Sequence, residues 1–358
     1  MPSGLRILKH LTLTLALLAS SLAFAEQQQG EASATACVAC HASQSQTQPR
    51  TSMGRALQPA TVNPILESRP ILTFSKFGYK YTVETRNGQS TYSVTDGTQT
   101  ITLPIRWSFG NAAQTWVFER NGVYYESLVS YYPSAGGLAV TIGDSDITPT
   151  TLEQAVARRL PPNEPTACFA CHSTHAATDG LLTVDSLEPG VTCEHCHAGT
   201  SAHLLAASQG DAAATVPPDL RKLSSEDLSN FCGQCHRSWE TVIRGPWRGE
   251  INVRFQPYRL ANSKCFSGTD PRISCIACHD PHKDLVTGSA AYDAKCLACH
   301  AVKAASPVAG GGARIKMCQV ATKNCTSCHM PEVKLANGLA TFHDHQIRIV
   351  KPGVPYPD

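Results

Sequence analysis

The chain has 358 residues, with 30 lysines and arginines, 28 aspartates and glutamates, 16 cysteines and a formal net charge of +2. So even a balance offers no cationic surface of the kind that nucleic acids select. Past the first 25 residues no stretch is apolar for long enough to cross a bilayer.

Arg6, Lys9 and His10 precede the apolar run Leu11 to Leu22, and Ala23-Phe24-Ala25 fits a small-x-small cleavage sequence. The pattern predicts a secretory signal peptide over 1–25, cut near Ala25-Glu26 and too short to span a membrane as a mature helix. No cysteine follows Ala25, so lipoprotein anchoring has no support. Removing this segment leaves 28 charges of each sign.

A polar leader, 26–36, opens a first segment over 26–69 that carries one Cys-x-x-Cys-His motif. Residues 79–85 and 90–95 read as strands around Asn87-Gly88. Asp96-Gly97 turns into 99–103, and 116–118 returns through Asn121-Gly122 as 123–125. Asn-Gly and Asp-Gly between β-formers are strong hairpin signals, so 70–147 is expected to be an antiparallel β hairpin region, with a meander over 70–143. Its role is either to pack over the first cysteine motif or to dock a partner.

The stretch 148–350 holds six more cysteine motifs and has little room for an aliphatic core. Short helices are expected there: Thr151 to Leu160, and a second led by Ser224-Ser225-Glu226-Asp227, with a capping serine and early acidic residues. Gly310-Gly311-Gly312 predicts a flexible loop, and the proline-bearing tail 351–358 an extended one.

Cys-x-x-Cys-His occurs seven times: Cys37/Cys40/His41, Cys168/Cys171/His172, Cys193/Cys196/His197, Cys232/Cys235/His236, Cys275/Cys278/His279, Cys296/Cys299/His300 and Cys325/Cys328/His329. These are numbered sites 1 to 7. In this motif two thiols add across the haem vinyl groups and the imidazole becomes the proximal iron ligand. Zinc would need four ligands per site and has no use for an obligatory Cys-His pair. A thioredoxin-like pair would be single, and a disulfide scaffold would not repeat one spacing. Seven covalently attached haems c are therefore expected. Their propionates turn the holoprotein negative, and arginines suit them as bidentate partners. Cys265 and Cys318 are left over, and in an oxidising compartment a disulfide between them is expected.

Seven six-coordinate irons need seven distal ligands. Beyond the proximal residues and His10, six histidines remain: His175, His195, His203, His282, His343 and His345. His195 lies inside its own motif, awkwardly placed to reach another iron. His175 and His282 each follow a proximal histidine by three residues, and His343 and His345 can fold back from the C-terminal part. Met53 is the leading thioether candidate, ahead of Met330 and Met317; core filling is its alternative role. Methionine ligation would raise that haem's potential.

Cys193 to His197 followed by Ala-Gly and His203, Cys275 to His279 followed by Asp280-Pro281-His282, and Cys325 to His329 followed by Met330-Pro331 resemble the multihaem cytochromes of the cytochrome c-554 type. That wider group includes hydroxylamine-oxidoreductase-like and octahaem proteins. The resemblance implies a haem-packed fold of short helices and irregular loops, here with a small antiparallel β meander near the N-terminus. It implies distal roles for His203 and His282, and closely packed haem pairs. Ser52-Met53-Gly54 stands where that group often has Ser-x-His-Ala with a distal histidine, so methionine replaces it here.

The reading is an exported heptahaem cytochrome, periplasmic or extracellular, that carries single electrons in a respiratory or extracellular pathway. Its partners would be other cytochromes or a membrane quinol-linked complex. Two rivals are a reductase or oxidase of a small nitrogen or sulfur compound at an open haem, and a subunit of a cytochrome filament. The Cys-x-x-Cys-Lys of ammonia-forming nitrite reductases is absent, which weighs against the enzyme.

Overall fold

The computed structural model describes residues 34–300, 318, 320–335, 339–351, 353, 354, 356 and 357. The expected signal peptide, the glycine run 310–312, Met317 and parts of the proline-bearing tail lie outside the described residues. The chain divides into two units, one of Met1–Ala42 with Cys193–Asp219, the other of Ser43–Thr192 with Leu220–Asp358. No helix among the described residues is long and apolar enough to cross a membrane.

In the smaller unit, the helices Ala34–Cys37, Cys193–Cys196 and Thr200–Ser208 carry the cysteine motifs of sites 1 and 3 and His203. Gly199, at φ +79°, makes the turn between the last two, a backbone region that glycine enters without steric cost.

The larger unit opens with two antiparallel sheets. One has the order β2 (Ile71–Lys76), β3 (Tyr79–Arg86), β4 (Gln89–Thr95), β5 (Thr100–Ile105). The other runs β1 (Leu57–Pro59), β6 (Trp107–Phe109), β7 (Thr115–Arg120), β8 (Val123–Ser127), β11 (Ala157–Arg159), and β9 (Val129–Tyr132) pairs separately with β10 (Gly137–Val140). The hairpin turns lie at the Asn-Gly pairs: Asn87 and Gly88, and Asn121 and Gly122, all have positive φ, as a type I′ turn requires. Strand alternation sends Tyr81, Val83, Tyr92 and Val94 inward, where they meet Trp116, Phe118 and Val129 in one core.

The helix expected over Thr151 to Leu160 is shorter. Thr151 caps Leu152–Val156 through its side chain, and the chain then becomes β11, paired with β8. Two forces favour the strand. Leu152, Ala155 and Val156 already fill the sheet core, and Arg158 is drawn into an acidic pocket. Its guanidinium meets Glu126 at 2.5 Å, Glu164 at 2.8 Å and Asp144 at 3.3 Å. Asp144 is buried, its Oδ2 has no hydrogen-bond partner, and its carboxyl is pushed up to about 6, by burial first and then by Glu126.

Past residue 220 the described elements are short helices and one pair of short antiparallel strands, Glu332–Lys334 and Thr341–His343, with sparse apolar packing. Ser224 caps Ser225–His236, accepting from the Asp227 amide as expected, and Ser238 caps Trp239–Arg244. The buried apolar clusters here are small: Val242, Phe255 and Tyr258 in one, Val253, Leu335 and Ala340 in another.

Candidate functional site

Each cysteine motif begins or ends on a helical turn. Cys193–Cys196, Cys275–Cys278 and Cys325–His329 are single-turn helices. Glu164–His172, Ser225–His236 and Asp293–His300 end on the motif histidine, and Ala34–Cys37 ends on the first cysteine of site 1. The histidine amide donates to the carbonyl of the first cysteine at site 1 (2.8 Å), site 3 (2.9 Å) and site 5 (2.9 Å). A turn closed in this way brings positions i, i+3 and i+4, two thiols and an imidazole, to one side.

The expected haem-binding cysteines do not share one environment. Most are half-buried, but Cys40, Cys278 and Cys328 are exposed. Cys40 belongs to site 1, Cys278 to site 5 and Cys328 to site 7. The physical reason is local. Cys40 lies just past the helix Ala34–Cys37, beside the exposed Val38 and Ala39, and Cys328 sits next to the exposed Ser327, whose hydroxyl is 3.8 Å from its Sγ. Neither side chain joins an apolar cluster among the described residues, whereas Cys168 of site 2 packs against Phe169 and its neighbours.

Several imidazoles have one nitrogen already engaged. His172 Nδ1–H donates to the Ala56 carbonyl at 2.9 Å, and His329 Nδ1–H to that of Arg348 at 2.9 Å. Among the expected distal residues, His203 donates to Thr215, His343 to Met330 and His345 to His343, in each case from Nδ1 to a backbone carbonyl. A carbonyl only accepts, so Nδ1 carries the proton and Nε2 keeps its lone pair, the tautomer a metal ligand needs. His172, His236 and His279 are all lowered, chiefly by burial, and His345 is pushed down to about 4, again chiefly by burial. At neutral pH these four rings are uncharged and ready to coordinate.

Two pairs of rings face one another. The centres of His41 and His203 are 6.4 Å apart, and those of His279 and His345 are 6.2 Å apart. With metal–imidazole bonds of about 2.0 Å, two rings on opposite sides of one ion hold their centres roughly 6 Å apart. Among the described residues, no three His, Cys, Asp or Glu side chains converge as they would around a zinc ion. The donors come as thiol pairs with imidazoles, a set that fits a doubly thioether-linked porphyrin with axial histidines.

The other expected ligands are placed differently. His282 is held by Asp280 through its amide and Nδ1, and His343 lies at the end of the strand Thr341–His343 with Nε2 3.5 Å from Glu332. His175 has φ +59°, uncommon for a residue with a side chain. The ring opposite His41 is His203; Met53 lies in the loop that holds His172. The Met53 carbonyl accepts from Ala56 and Val191, and Ala56 accepts from His172. This loop requires Gly54 and Gly190: a Cβ on Gly190 would meet the Gly54 carbonyl oxygen at 2.0 Å.

Cys265 and Cys318 are both free, against the expected disulfide. Cys265 lies near Cys278, Cys296 and Cys299, whereas Cys318 is exposed and hydrogen-bonds to its own backbone turn at Val320 and Ala321. Contacts between motifs were not legible in the sequence. Cys37 meets Cys193 in the smaller unit. In the larger, Cys171 meets Cys235, Cys232 meets Cys275, Cys278 lies near Cys296, and Cys296 meets Cys325.

Residues 147–198 match the family model described as cytochrome c554 and c-prime. No curated protein matches the chain. Among solved structures, the crystal structure of the outer cell wall cytochrome OcwA superposes with a TM-score of 0.49 and 14% identity, covering 88% of this chain and 79% of that one. The resemblance to the cytochrome c-554 group thus holds over residues 147–198, the stretch that carries sites 2 and 3.

Proposed function

We propose that the chain is an exported multihaem c-type cytochrome that binds haem c covalently at all seven sites and passes single electrons between redox partners. The observation that carries this reading is the facing of motif histidines by histidines from elsewhere, His41 by His203 and His279 by His345, at spacings that suit one iron between each pair. When bound, the haem iron supplies reversible one-electron chemistry. The polypeptide's part is to hold and tune. His41, His172, His197, His236, His279, His300 and His329 would be proximal ligands. His203 and His345 would be distal, with His175, His282, His343 and Met53 serving elsewhere; these six leave one of the seven irons to His195, another side chain, water or an open position. Cys40 and Cys328 keep their roles as attachment residues in this reading, because a thiol reacts through access rather than through enclosure.

Cysteine contacts support a spatial order for the attachment sites. In the larger unit sites 2, 4, 5, 6 and 7 follow one another, linked by Cys171–Cys235, Cys232–Cys275, Cys278–Cys296 and Cys296–Cys325. Sites 1 and 3 are linked by Cys37–Cys193. An ordered series of attachment sites suits conduction better than turnover at one centre. Partners of this kind would be other cytochromes or a quinol-linked complex, met in the periplasm or outside the cell.

The test is the mass and spectrum of the exported protein. Seven haem masses above the processed chain, with a low-spin ferric spectrum, are expected. A colourless product, or a mass equal to the polypeptide alone, overturns the reading. A high-spin signal that shifts with nitrite or hydroxylamine would favour the enzyme instead.

A further inference from the structure

Asp344 stands between His343 and His345, and it is wholly buried together with Arg259. The two form a bidentate pair, Nε to Oδ1 at 2.9 Å and Nη2 to Oδ2 at 3.1 Å. The rest of the guanidinium is also engaged: Nη2 donates to Gln346 Oε1 at 2.7 Å and Nη1 to the Pro357 carbonyl at 2.8 Å, and the Tyr356 ring lies 4.4 Å from Cζ. The Asp344 Oδ1 accepts the Gln346 amide, and Arg348 Nη1 closes on Oδ2. Ser263, just past the helix Gln256–Ala261, donates its hydroxyl to the His345 carbonyl and accepts the Ile347 amide. The His345 carbonyl and the Gln346 and Ile347 amides therefore lead to this charge pair or to the turn after the helix bearing Arg259, while the Asp344 amide donates to the Pro331 carbonyl.

We propose that Arg259 and Asp344 are positioning residues that hold the His345 imidazole opposite His279; this rests on reading those two rings as axial ligands. An aspartate in a bidentate grip has one orientation, and the residue after it inherits that orientation. His345 then needs only the bond from its Nδ1 to the His343 carbonyl to fix its ring. The same loop serves site 7, because the carbonyl of Arg348, whose side chain grips Asp344, takes the His329 Nδ1–H. A buried ion pair is a costly way to secure a loop. Its presence beside a ligand, with each guanidinium nitrogen engaged, assigns it the placing of that ligand.

The experiment uses the exported holoprotein and counts carbon monoxide-binding haems and ferric spin states in wild type, His345→Ala, Asp344→Asn, Arg259→Lys and the His345→Ala/Asp344→Asn double variant. His345→Ala is expected to add one carbon monoxide-binding, high-spin haem per chain. Asp344→Asn and Arg259→Lys are expected to open that same haem, with low spin restored by added imidazole, and the double variant to open no more than His345→Ala alone. Should Asp344→Asn not accumulate, Arg259→Lys, in which Arg348 still pairs with Asp344, decides by itself. Full haem content with a wild-type count in both clamp variants, or opening that adds to that of His345→Ala, overturns the clamp alone. No gain of carbon monoxide binding in His345→Ala overturns the axial pair and the clamp with it.

Discussion

From Leu57 to Arg159 the chain fills its own interior. Trp116, Tyr81, Tyr92, Phe118 and fourteen other buried side chains share one core. From residue 220 onward the buried apolar clusters hold three residues each, and the described elements are helices of at most 12 residues and two three-residue strands. The two stretches belong to one unit, so the contrast reflects how order is reached rather than a boundary. In the first, burial of side chains offsets the conformational entropy of folding. In the second, caps, charge pairs and short turns set the backbone, and the apolar mass has to come from elsewhere. Covalently held porphyrin is the source we propose.

The sharpest way to break this comparison is to withhold haem. Chain made without haem attachment should lose order over 220–300 and keep it over 57–159. Limited proteolysis with mass mapping reads this directly: early cuts are expected in the first range and few in the second. Equal resistance in both would show that the helices after residue 220 stand on side-chain packing alone.

Trp116→Ala strikes the other side. Trp116 is fully buried and packs 5.8 Å from the Tyr92 ring. Truncating such a residue typically costs about 3–5 kcal/mol through lost burial and the cavity left behind. Urea unfolding of the holoprotein followed by circular dichroism should show that loss, while the midpoint potentials of the haems we propose at sites 4 to 7 stay at wild-type values. A shift in those potentials would mean that the sheet core and the haem series are mechanically joined.

How much of this was legible in sequence differs between the stretches for the same reason. The hairpins were readable because Asn-Gly pairs and two-residue alternation are local signals. The three-residue strands β1, β6 and β11 were not, since pairing over long separations leaves no local pattern; β11 displaced the end of an expected helix. The seven motifs are read directly from the sequence, and His203 and His345 stood among its candidate ligands. Their partners were not legible: nothing in the spacing says that His203 faces His41 or His345 faces His279, because those contacts are tertiary. The exposure of Cys40 and Cys328 was equally hidden, since one motif repeated seven times says nothing of what packs against each copy. Arg259 and Asp344 gave no motif at all, an ordinary pair of charges 85 residues apart. The Cys265–Cys318 disulfide was an inference from counting, and counting carries no geometry.

Gly190→Ala probes a loop that lies outside both stretches and holds a motif histidine. Gly190 has φ +80°, and an added Cβ would press on the Gly54 carbonyl in the loop whose Ala56 holds His172. Strain of this kind costs about 1–3 kcal/mol before any displacement of the loop. The expected result is lower stability together with a changed potential at the haem of site 2 only. Unchanged potentials with lowered stability would separate the loop from the imidazole that it holds.

The smallest expected effect tests the charge cluster behind site 2. Asp144 titrates at about 6 in the fold against an ordinary 3.8, because burial and Glu126 oppose its charge. The folded state therefore holds the proton more tightly than the unfolded chain. This contribution to stability is full below about pH 4 and is lost as pH rises through about 6. Asp144→Asn keeps the side chain neutral and so removes the loss at high pH: the variant should match wild type near pH 4 and exceed it at pH 8 by on the order of 1 kcal/mol, with Glu126 and Glu164 still holding Arg158. Urea midpoints at the two pH values measure the difference. Should the variant instead be weaker at pH 8, the Arg158–Asp144 attraction outweighs the cost of burying a third carboxylate, and this corner of the sheet region is held by charge, as the Arg259–Asp344 loop is, rather than by packing.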